Sequence, residues 1–295
     1  MLFDKYFEVH DAKSKIDPLL HWSLSKALKY QKMDKLFQEL CEAIPDISNQ
    51  YSNPDGMNCM DIKSPDYAPF YAYKIRAQHS FQIFFTLKMI QKYCGNIPFT
   101  LVDVGDSSGN HIKYLQHLQK AHSFSIKDAY SVNLDPIAIE KINKNGGRGI
   151  LQRAELLNEI NIKADVMLSF EMLEHLSSPV EFLHQLSKNP PSKFTLFTVP
   201  YLRKSRVGLH HVRLNIDDMT ADPEDVHIFE LNPEDWKLLA MHCGWEVTDE
   251  LIYRQYPDHF MYRWLRPLWE KYEYIGFYGF TLRPNDKFNK LYSGW

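Results

Sequence analysis

The sequence has little cysteine and no long apolar run. Its four cysteines are Cys41, Cys59, Cys94 and Cys243, and no two of them form a CxxC pair. This spacing argues against a zinc ribbon and against a disulfide framework, so we predict reduced thiols in the cytoplasm. No stretch reaches the roughly 18 apolar residues of a membrane span, and the N-terminus has no apolar signal core. We therefore predict a soluble, cytoplasmic protein without a membrane span.

Excess charge of either sign is also lacking. The formal net charge is −3 and the isoelectric point is near 6.5. A large polyanionic partner is disfavoured, which makes nucleic acid an unlikely partner. The 295 residues, 44% of them apolar, are enough for one large α/β domain with additions or for two domains.

Glycine is scarce, and the dinucleotide fingerprint GxGxxG is absent. One stretch, FTLVDVGDSSGNHIKYL, nevertheless combines a buried-strand pattern over 99–104 with helical spacing of apolar residues from Ile112 onwards. Gly105 and Gly109 allow a sharp turn between strand and helix, and Ser107 and Ser108 add hydroxyls beside the helix N-terminus. The motif favours a nucleotide-like ligand. The alternative is a turn that only connects a strand to a helix.

Strand and helix patterns alternate after this turn, which is typical of a doubly wound parallel sheet. We predict an α/β, Rossmann-like, seven-stranded, mostly parallel sheet with an N-terminal helical extension over 1–95. The predicted strands are 99–104, 129–134, 149–152, 164–170, 194–199, 245–253 and 274–282. The predicted helices cover much of 1–48, 71–95, 136–145, 177–187 and 232–243, with a loop over 45–69.

Ligands of such sheets bind beyond the carboxyl ends of the strands. Asp135 ends the second strand, where a carboxylate can accept hydrogen bonds from ribose hydroxyls. The alternative is a helix cap, because Asp135 is followed by proline. Arg153, Ala154 and Glu155 follow the third strand and could line an adenine pocket, although a solvated charge pair explains Arg153 and Glu155 equally well.

The order VDVGDSSG, VNLDP, RAELL, ADVMLSFEMLEHL and TLFTVP resembles class I S-adenosylmethionine-dependent methyltransferases, of the type with an EHL turn, over about 99–282. The resemblance implies methyl transfer from S-adenosylmethionine to oxygen or nitrogen of a small or medium-sized acceptor. The sequence departs from the family at Ser107, where glycine is usual, and at Arg153, where an acidic residue is frequent. The cofactor-binding residues that the resemblance implies are Tyr73, Arg76, Gly105, Asp106, Ser107, Gly109, Asp135, Arg153, Ala154, Glu155, Ser169, Phe170 and Glu171.

Methyl transfer to a hydroxyl or amine requires alignment and a base. His210, His211 and His227 are the candidate bases, since histidine titrates near neutral pH. They lie in or near the long stretch 201–230, which we interpret as a substrate loop within a methyltransferase domain over 96–295. The alternative is that all three are surface residues.

Glu171, Glu174 and His175 form an ExxEH cluster that could bind magnesium, manganese or zinc. Similar clusters hold a metal in some methyltransferases of ubiquinone precursors or of the terminal ribose of small RNAs. We predict no metal, with Glu174 and His175 packing against the sheet end. A further ligand from His210 or His211 would be needed to indicate a metal site.

Several alternatives remain open from the sequence. We predict that the aromatic-rich segment 254–295 forms core and subunit contacts; the alternatives are stacking on an aromatic, sugar or base ligand and contact with a membrane surface. The N-terminal helices are predicted to form a cap or a homodimer arm. The competing functions are a metal-assisted RNA-terminal methyltransferase, a nicotinamide-dependent dehydrogenase, and a non-catalytic binding or scaffold protein on the same fold.

Overall fold

The fold is taken from a computed structural model, which describes residues 18–47, 67–207, 227–272 and 274–291. Helix α1 covers residues 18–30. The other described α-helices are α2 (Asp34–Ala43), α3 (Tyr67–Tyr93), α4 (Asn110–Leu118), α5 (Pro136–Lys144), α6 (Pro179–Lys188), α7 (Pro233–His242), α8 (Leu265–Tyr272) and α9 (Asp286–Leu291). The strands are β1 (Phe99–Val104), β2 (Ile126–Asn133), β3 (Gly149–Leu151), β4 (Ala164–Phe170), β5 (Ser192–Tyr201), β6 (Arg206–Val207), β7 (Phe229–Glu230), β8 (Trp245–Arg254) and β9 (Gly276–Pro284).

Seven strands form one sheet in the order β3-β2-β1-β4-β5-β9-β8. The first five strands are parallel to one another, whereas β9 is antiparallel to both β5 and β8. The predicted α/β, seven-stranded, mostly parallel sheet is therefore confirmed. The strand order reverses between β1 and β4, so the carboxyl ends of these two strands border the crevice where such sheets bind ligands.

Helices cover both faces of the sheet, which explains why the central strands are mostly apolar. Four of the six residues of β1 run buried from Leu101 to Val104, and in β4 only Asp165 is not buried. One core cluster places Trp236 and Trp245 against the α6 and α7 side, and another places Phe85 and Leu115 against the α3 and α4 side. Burial on both faces fixes the ends of β1 and β4, and with them the position of the crevice.

The N-terminal helices pack on the C-terminal aromatic segment. The Ser23 hydroxyl donates to the Gln255 carbonyl at 2.8 Å and accepts from the fully buried Trp269 indole at 3.1 Å. A third core cluster joins helix α1 to Phe277 and other residues of this segment. Core packing thus accounts for the buried part of the segment, while Phe260 and Trp264 lie exposed on its surface.

Helix α3 is buried on all sides from residue 74 to residue 83. A helix without a solvated face has structure on every side, and α3 lies between the sheet and the N-terminal helices. It starts at Tyr67, so the predicted loop over 45–69 is wrong for its last three residues, while 48–66 lie outside the described residues. The aromatic-rich sequence after Tyr67 extends the helix because tertiary burial stabilises it.

The helix caps match the sequence in part. The Asn232 side chain accepts a hydrogen bond from the Asp235 amide at 3.0 Å and caps α7, as the Asn-Pro pair predicts. Helix α6 begins later than predicted, at Pro179, and its N-cap Ser178 makes no side-chain capping bond. None of the described helices is both long and apolar enough to cross a membrane.

Candidate functional site

The turn between β1 and α4 requires glycine at both of its ends. Gly105 has φ of 83° and Gly109 has φ of 78°, values that side chains disfavour. A β-carbon at Gly105 would also lie 3.0 Å from the Met172 side chain, which follows β4. The turn is therefore specified by backbone conformation at both ends, and at Gly105 by close packing as well.

Asp106 fills the inside of this turn with its carboxylate. One oxygen accepts the Ser108 and Gly109 amides at 3.0 and 2.8 Å, and the other accepts the Ser131 hydroxyl at 2.6 Å. Asp106 is only 3% exposed. Phosphates bind glycine turns through such amides at a helix N-terminus, so in this chain the protein's own carboxylate already occupies two of those donors.

The end of β2 is tied to the same turn. The Asn133 side chain donates to the Asp106 carbonyl at 3.0 Å and accepts from the Asp135 amide at 2.9 Å. The Asp135 carboxylate accepts the amides of Ile137 and Ala138 at 2.9 and 3.2 Å. Asp135 is thus the cap of α5, as the alternative interpretation predicted. A carboxylate has lone pairs beyond these two bonds, so ribose binding by Asp135 stays a prediction.

A buried hydrogen-bonded chain crosses behind the turn from β1 to β5. The Asp103 carboxylate contacts His111 Nδ1 at 2.9 Å, His111 Nε2 contacts Gln82 Oε1 at 3.2 Å, and Gln82 Nε2 donates to the Thr198 hydroxyl at 3.1 Å. Burial would lower the pKa of His111, but the Asp103 carboxylate raises it above its usual value. The two nitrogens of His111 face the Asp103 carboxylate and the Gln82 side-chain amide, and the raised pKa favours the protonated ring.

The end of β4 carries polar atoms that lack partners. The Ser169 hydroxyl and Glu171 Oε1 are buried, with no hydrogen-bond partner in the described part of the chain. Glu171 has φ of 50°, a strained value for a residue with a side chain, and its amide donates to the Thr198 carbonyl at 2.8 Å. Burial raises the pKa of the Glu171 carboxyl. Strain and unpartnered oxygens are typical of a binding site rather than of a packing position.

The predicted base His227 lies next to the ExxEH cluster. Its ring centroid is 4.5 Å from that of His175, and its Nδ1 contacts the Tyr274 hydroxyl at 2.6 Å and Glu230 Oε1 at 3.2 Å. Glu230 also pairs with Arg206 across the β6-β7 ribbon. His210 and His211 lie outside the described residues.

Tyr73 and Arg76, the two predicted contacts of the cofactor carboxylate, both contact other protein groups, and their binding role stays a prediction. The Tyr73 ring lies 4.0 Å from that of His21, among the N-terminal helices. The buried Arg76 donates to the Leu40 carbonyl at 2.9 Å and to the Tyr114 hydroxyl at 2.8 Å. Arg76 therefore holds α2 and α4 together, and its guanidinium is occupied by protein acceptors.

The turn after β3 contains the solvated charge pair between Arg153 and Glu155 that we considered as the alternative to an adenine pocket. Arg153 is mostly exposed and pairs with Glu155 at 2.9 Å, while Ala154 is buried. Phe170 packs its ring against His111, with a centroid distance of 5.1 Å. An adenine pocket formed by residues 153–155 stays a prediction.

Sequence reasoning missed several residues of this site. The spacing of His227 and Glu230 was a local signal, but Gln82, Thr198 and Tyr274 are brought in by α3, β5 and β9 packing. No local pattern marks them, because their partners are 29 or more positions away in the chain.

A scan against protein-family models found no match, and a search of curated proteins found none. Solved structures do resemble the chain. Magnesium protoporphyrin IX methyltransferase from Synechocystis PCC 6803, with bound SAH, is 10% identical, with a TM-score of 0.46 over 73% of this chain and 88% of that one. An S-adenosylmethionine-dependent methyltransferase from Clostridium acetobutylicum is 13% identical, with a TM-score of 0.45 over 74% and 98%.

A third similar structure is the 1,6-didemethyltoxoflavin-N1-methyltransferase of Burkholderia thailandensis, with 1,6-didemethyltoxoflavin and S-adenosylhomocysteine bound. It is 13% identical, with a TM-score of 0.42 over 75% of this chain and 90% of that one. These proteins are methyltransferases, like the family that the sequence resembles. Because the likeness is distant, the functional argument below is made from the residues of this chain alone.

A substitution can distinguish a structural role of Arg76 from a role in cofactor binding. We expect Arg76→Ala to lower the free energy of unfolding by roughly 1.5 to 3 kcal/mol, because Tyr114 and Leu40 lose a charged donor. Urea denaturation measures this change, with the exposed Gln91→Ala on the same helix as control. Unchanged stability together with lost affinity for S-adenosylmethionine would instead return Arg76 to the cofactor site.

Proposed function

We propose that this protein is a cytoplasmic, class I S-adenosylmethionine-dependent methyltransferase that acts on oxygen or nitrogen of a small or medium-sized acceptor. The observation that carries the proposal is the Asp106 carboxylate inside the glycine turn. It occupies amides that a dinucleotide would need for its pyrophosphate, and it adds negative charge where a phosphate would bind. The site therefore suits a ligand that carries positive charge.

The electrostatics of the crevice support a cationic ligand. Asp103, Asp106, Glu171 and Glu174 all lie at the carboxyl ends of β1 and β4 or in the turns that follow them. Asp103 pairs with His111, whereas one buried oxygen of Glu171 has no hydrogen-bond partner among the described residues. When bound, S-adenosylmethionine supplies a sulfonium-activated methyl group and a positively charged ammonium group. The acidic residues disfavour phosphates and stabilise those positive charges.

The residues of the chain then have distinct binding roles. The glycine turn from Gly105 to Gly109 would hold the methionine part, and the buried Ser169 hydroxyl and the Glu171 carboxylate would accept hydrogen bonds from the ammonium group. Asp135 would accept the ribose hydroxyls. Residues 153–155 would surround the adenine, through backbone atoms or Glu155, since Arg153 extends into solvent.

The acceptor would lie on the side of the long loop. Residues 201–230 connect β5 to α7, and their described ends form the β6-β7 ribbon beside the 3-10 turn that follows β4. Among the three candidate bases, His227 is the one that the structure describes. Glu230 and Tyr274 fix the orientation of its ring.

The charge of Asp106 can be tested without removing its hydrogen bonds. An asparagine there can still accept both amides and donate to Ser131, so we expect Asp106→Asn to fold normally. We expect its affinity for S-adenosylmethionine to fall by about 1 kcal/mol, or roughly fivefold, because a negative charge near the sulfonium is lost. Calorimetric titration measures both dissociation constants.

S-adenosylhomocysteine, which lacks the sulfonium charge, is the matched ligand control and should lose less affinity. Asp286→Asn, an exposed residue in the C-terminal helix α9, is the protein control. Equal losses for both ligands, or no loss for either, would contradict the electrostatic argument.

A second variant separates the two roles of Asp135. Serine is as good a helix cap as aspartate, so we expect Asp135→Ser to preserve the free energy of unfolding within about 0.5 kcal/mol. Loss of the carboxylate should weaken binding of S-adenosylmethionine by about 1 to 3 kcal/mol. If calorimetry finds wild-type affinity in this folded variant, Asp135 is a cap and nothing more.

A further inference from the structure

We propose that Glu174, His175 and His227 form a binding site for one divalent transition-metal ion. Their side chains offer one carboxylate oxygen and two imidazole nitrogens, and these three atoms all lie within 4.8 Å of one another. His175 Nε2 is 3.9 Å from Glu174 Oε1. Two ligands at about 2.1 Å from an ion are at most about 4.2 Å apart, so small side-chain adjustments complete the coordination geometry.

The backbone brings these residues together from distant parts of the chain. Glu174 and His175 lie in the 3-10 turn Leu173–His175 after β4, and His227 precedes β7. The Ile228 amide donates to the Glu174 carbonyl at 2.7 Å, which holds the two segments in contact. The three potential ligands therefore lie on a connected framework.

The surroundings of Glu174 suit a bound cation. It is fully buried, and neither of its carboxylate oxygens has a hydrogen-bond partner in the part of the chain that the structure describes. A buried carboxylate without donors is costly unless a cation or a proton neutralises it, and two neighbouring imidazoles favour the cation. The nearby carboxylates Glu171 and Glu230 add to the negative charge, and Arg206 pairs with Glu230 rather than with Glu174.

His227 is oriented as a ligand. Its Nδ1 contacts Glu230 Oε1 and the Tyr274 hydroxyl, and a carboxylate only accepts hydrogen bonds. The ring proton therefore belongs on Nδ1, which leaves the lone pair on Nε2. A histidine that binds a metal through one ring nitrogen almost always donates the other N–H to a carboxylate, a backbone carbonyl or water, and His227 has such a carboxylate in Glu230.

A second group of acidic residues and a histidine also lies close together, but we do not propose it as a metal site. Asp103, Asp106 and His111 also lie close together. Both carboxylates of that group already accept hydrogen bonds from His111, Ser131 or turn amides. The difference is that no donor within the described residues lies within hydrogen-bond distance of the Glu174 carboxylate.

The ligand types indicate the ion. Two imidazoles and one carboxylate favour manganese, iron, cobalt or zinc over calcium and magnesium, which prefer oxygen. Three protein ligands leave positions for water or for an acceptor oxygen. With Nε2 on the metal, His227 cannot also remove a proton, so the metal site takes His227 out of the candidate bases. This last point alone rests on the proposed function.

The test is titration of the full chain with Mn²⁺ after removal of metals by a chelator, without any cofactor, so that the proposed methyl transfer does not enter. We expect one ion per chain by calorimetry, with loss of the free Mn²⁺ signal in electron paramagnetic resonance. Glu174→Gln and His227→Gln should each weaken binding by more than roughly tenfold.

Controls separate the metal site from other causes. His117→Ala, an exposed histidine on α4, should bind Mn²⁺ like the wild type. Glu174→Gln keeps the shape of the side chain and removes no hydrogen bond to a partner in the described part of the chain, so without metal its stability in urea should be close to that of the wild type. If it fails to fold, the partly exposed His227→Gln decides. Absence of Mn²⁺ binding by the wild type, or wild-type affinity in both ligand variants, would overturn the proposal.

Discussion

The candidate site depends on the Asp106 carboxylate, which satisfies the amides of the glycine turn from inside. This interaction fixes the turn through Ser108 and Gly109, and it joins β1 to β2 through the Ser131 hydroxyl. It also makes the start of α4 acidic, where other nucleotide-binding sheets present free amides to phosphate. The choice between a phosphate-bearing and a cationic ligand thus follows from one buried side chain.

The rest of the fold supports this arrangement from two sides. Helix α3 contributes Gln82 to the buried chain that links Asp103 to Thr198, and Arg76 ties the N-terminal helices to α4. On the other side, the β6-β7 ribbon places His227 against His175. Both sides are held by contacts between segments far apart in the chain. Displacement of either would therefore alter the site without a change in the glycine turn.

Much of the fold could be predicted from the sequence because the spacing of apolar residues and the turn residues mark most strands and helices locally. Strand β4 was predicted with its observed ends, since its apolar run is bounded by polar residues on both sides. The predicted loop before α3 was wrong at Tyr67, where burial overrides a weak local pattern. In the site, the local sequence predicted Gly105 and Gly109 as turn residues. It did not predict Tyr274 as the partner of His227 or Thr198 as the partner of Gln82, because only tertiary packing brings these residues together.

The most direct test of the central claim is calorimetric titration of the wild-type chain with S-adenosylmethionine and, separately, with NAD. The acidic turn predicts micromolar binding of S-adenosylmethionine and no binding of NAD, because Asp106 already occupies amides that the pyrophosphate would need. Binding of NAD would contradict the account outright. Binding of neither ligand would show that this edge of the sheet, although acidic, is not a cofactor site in the isolated protein.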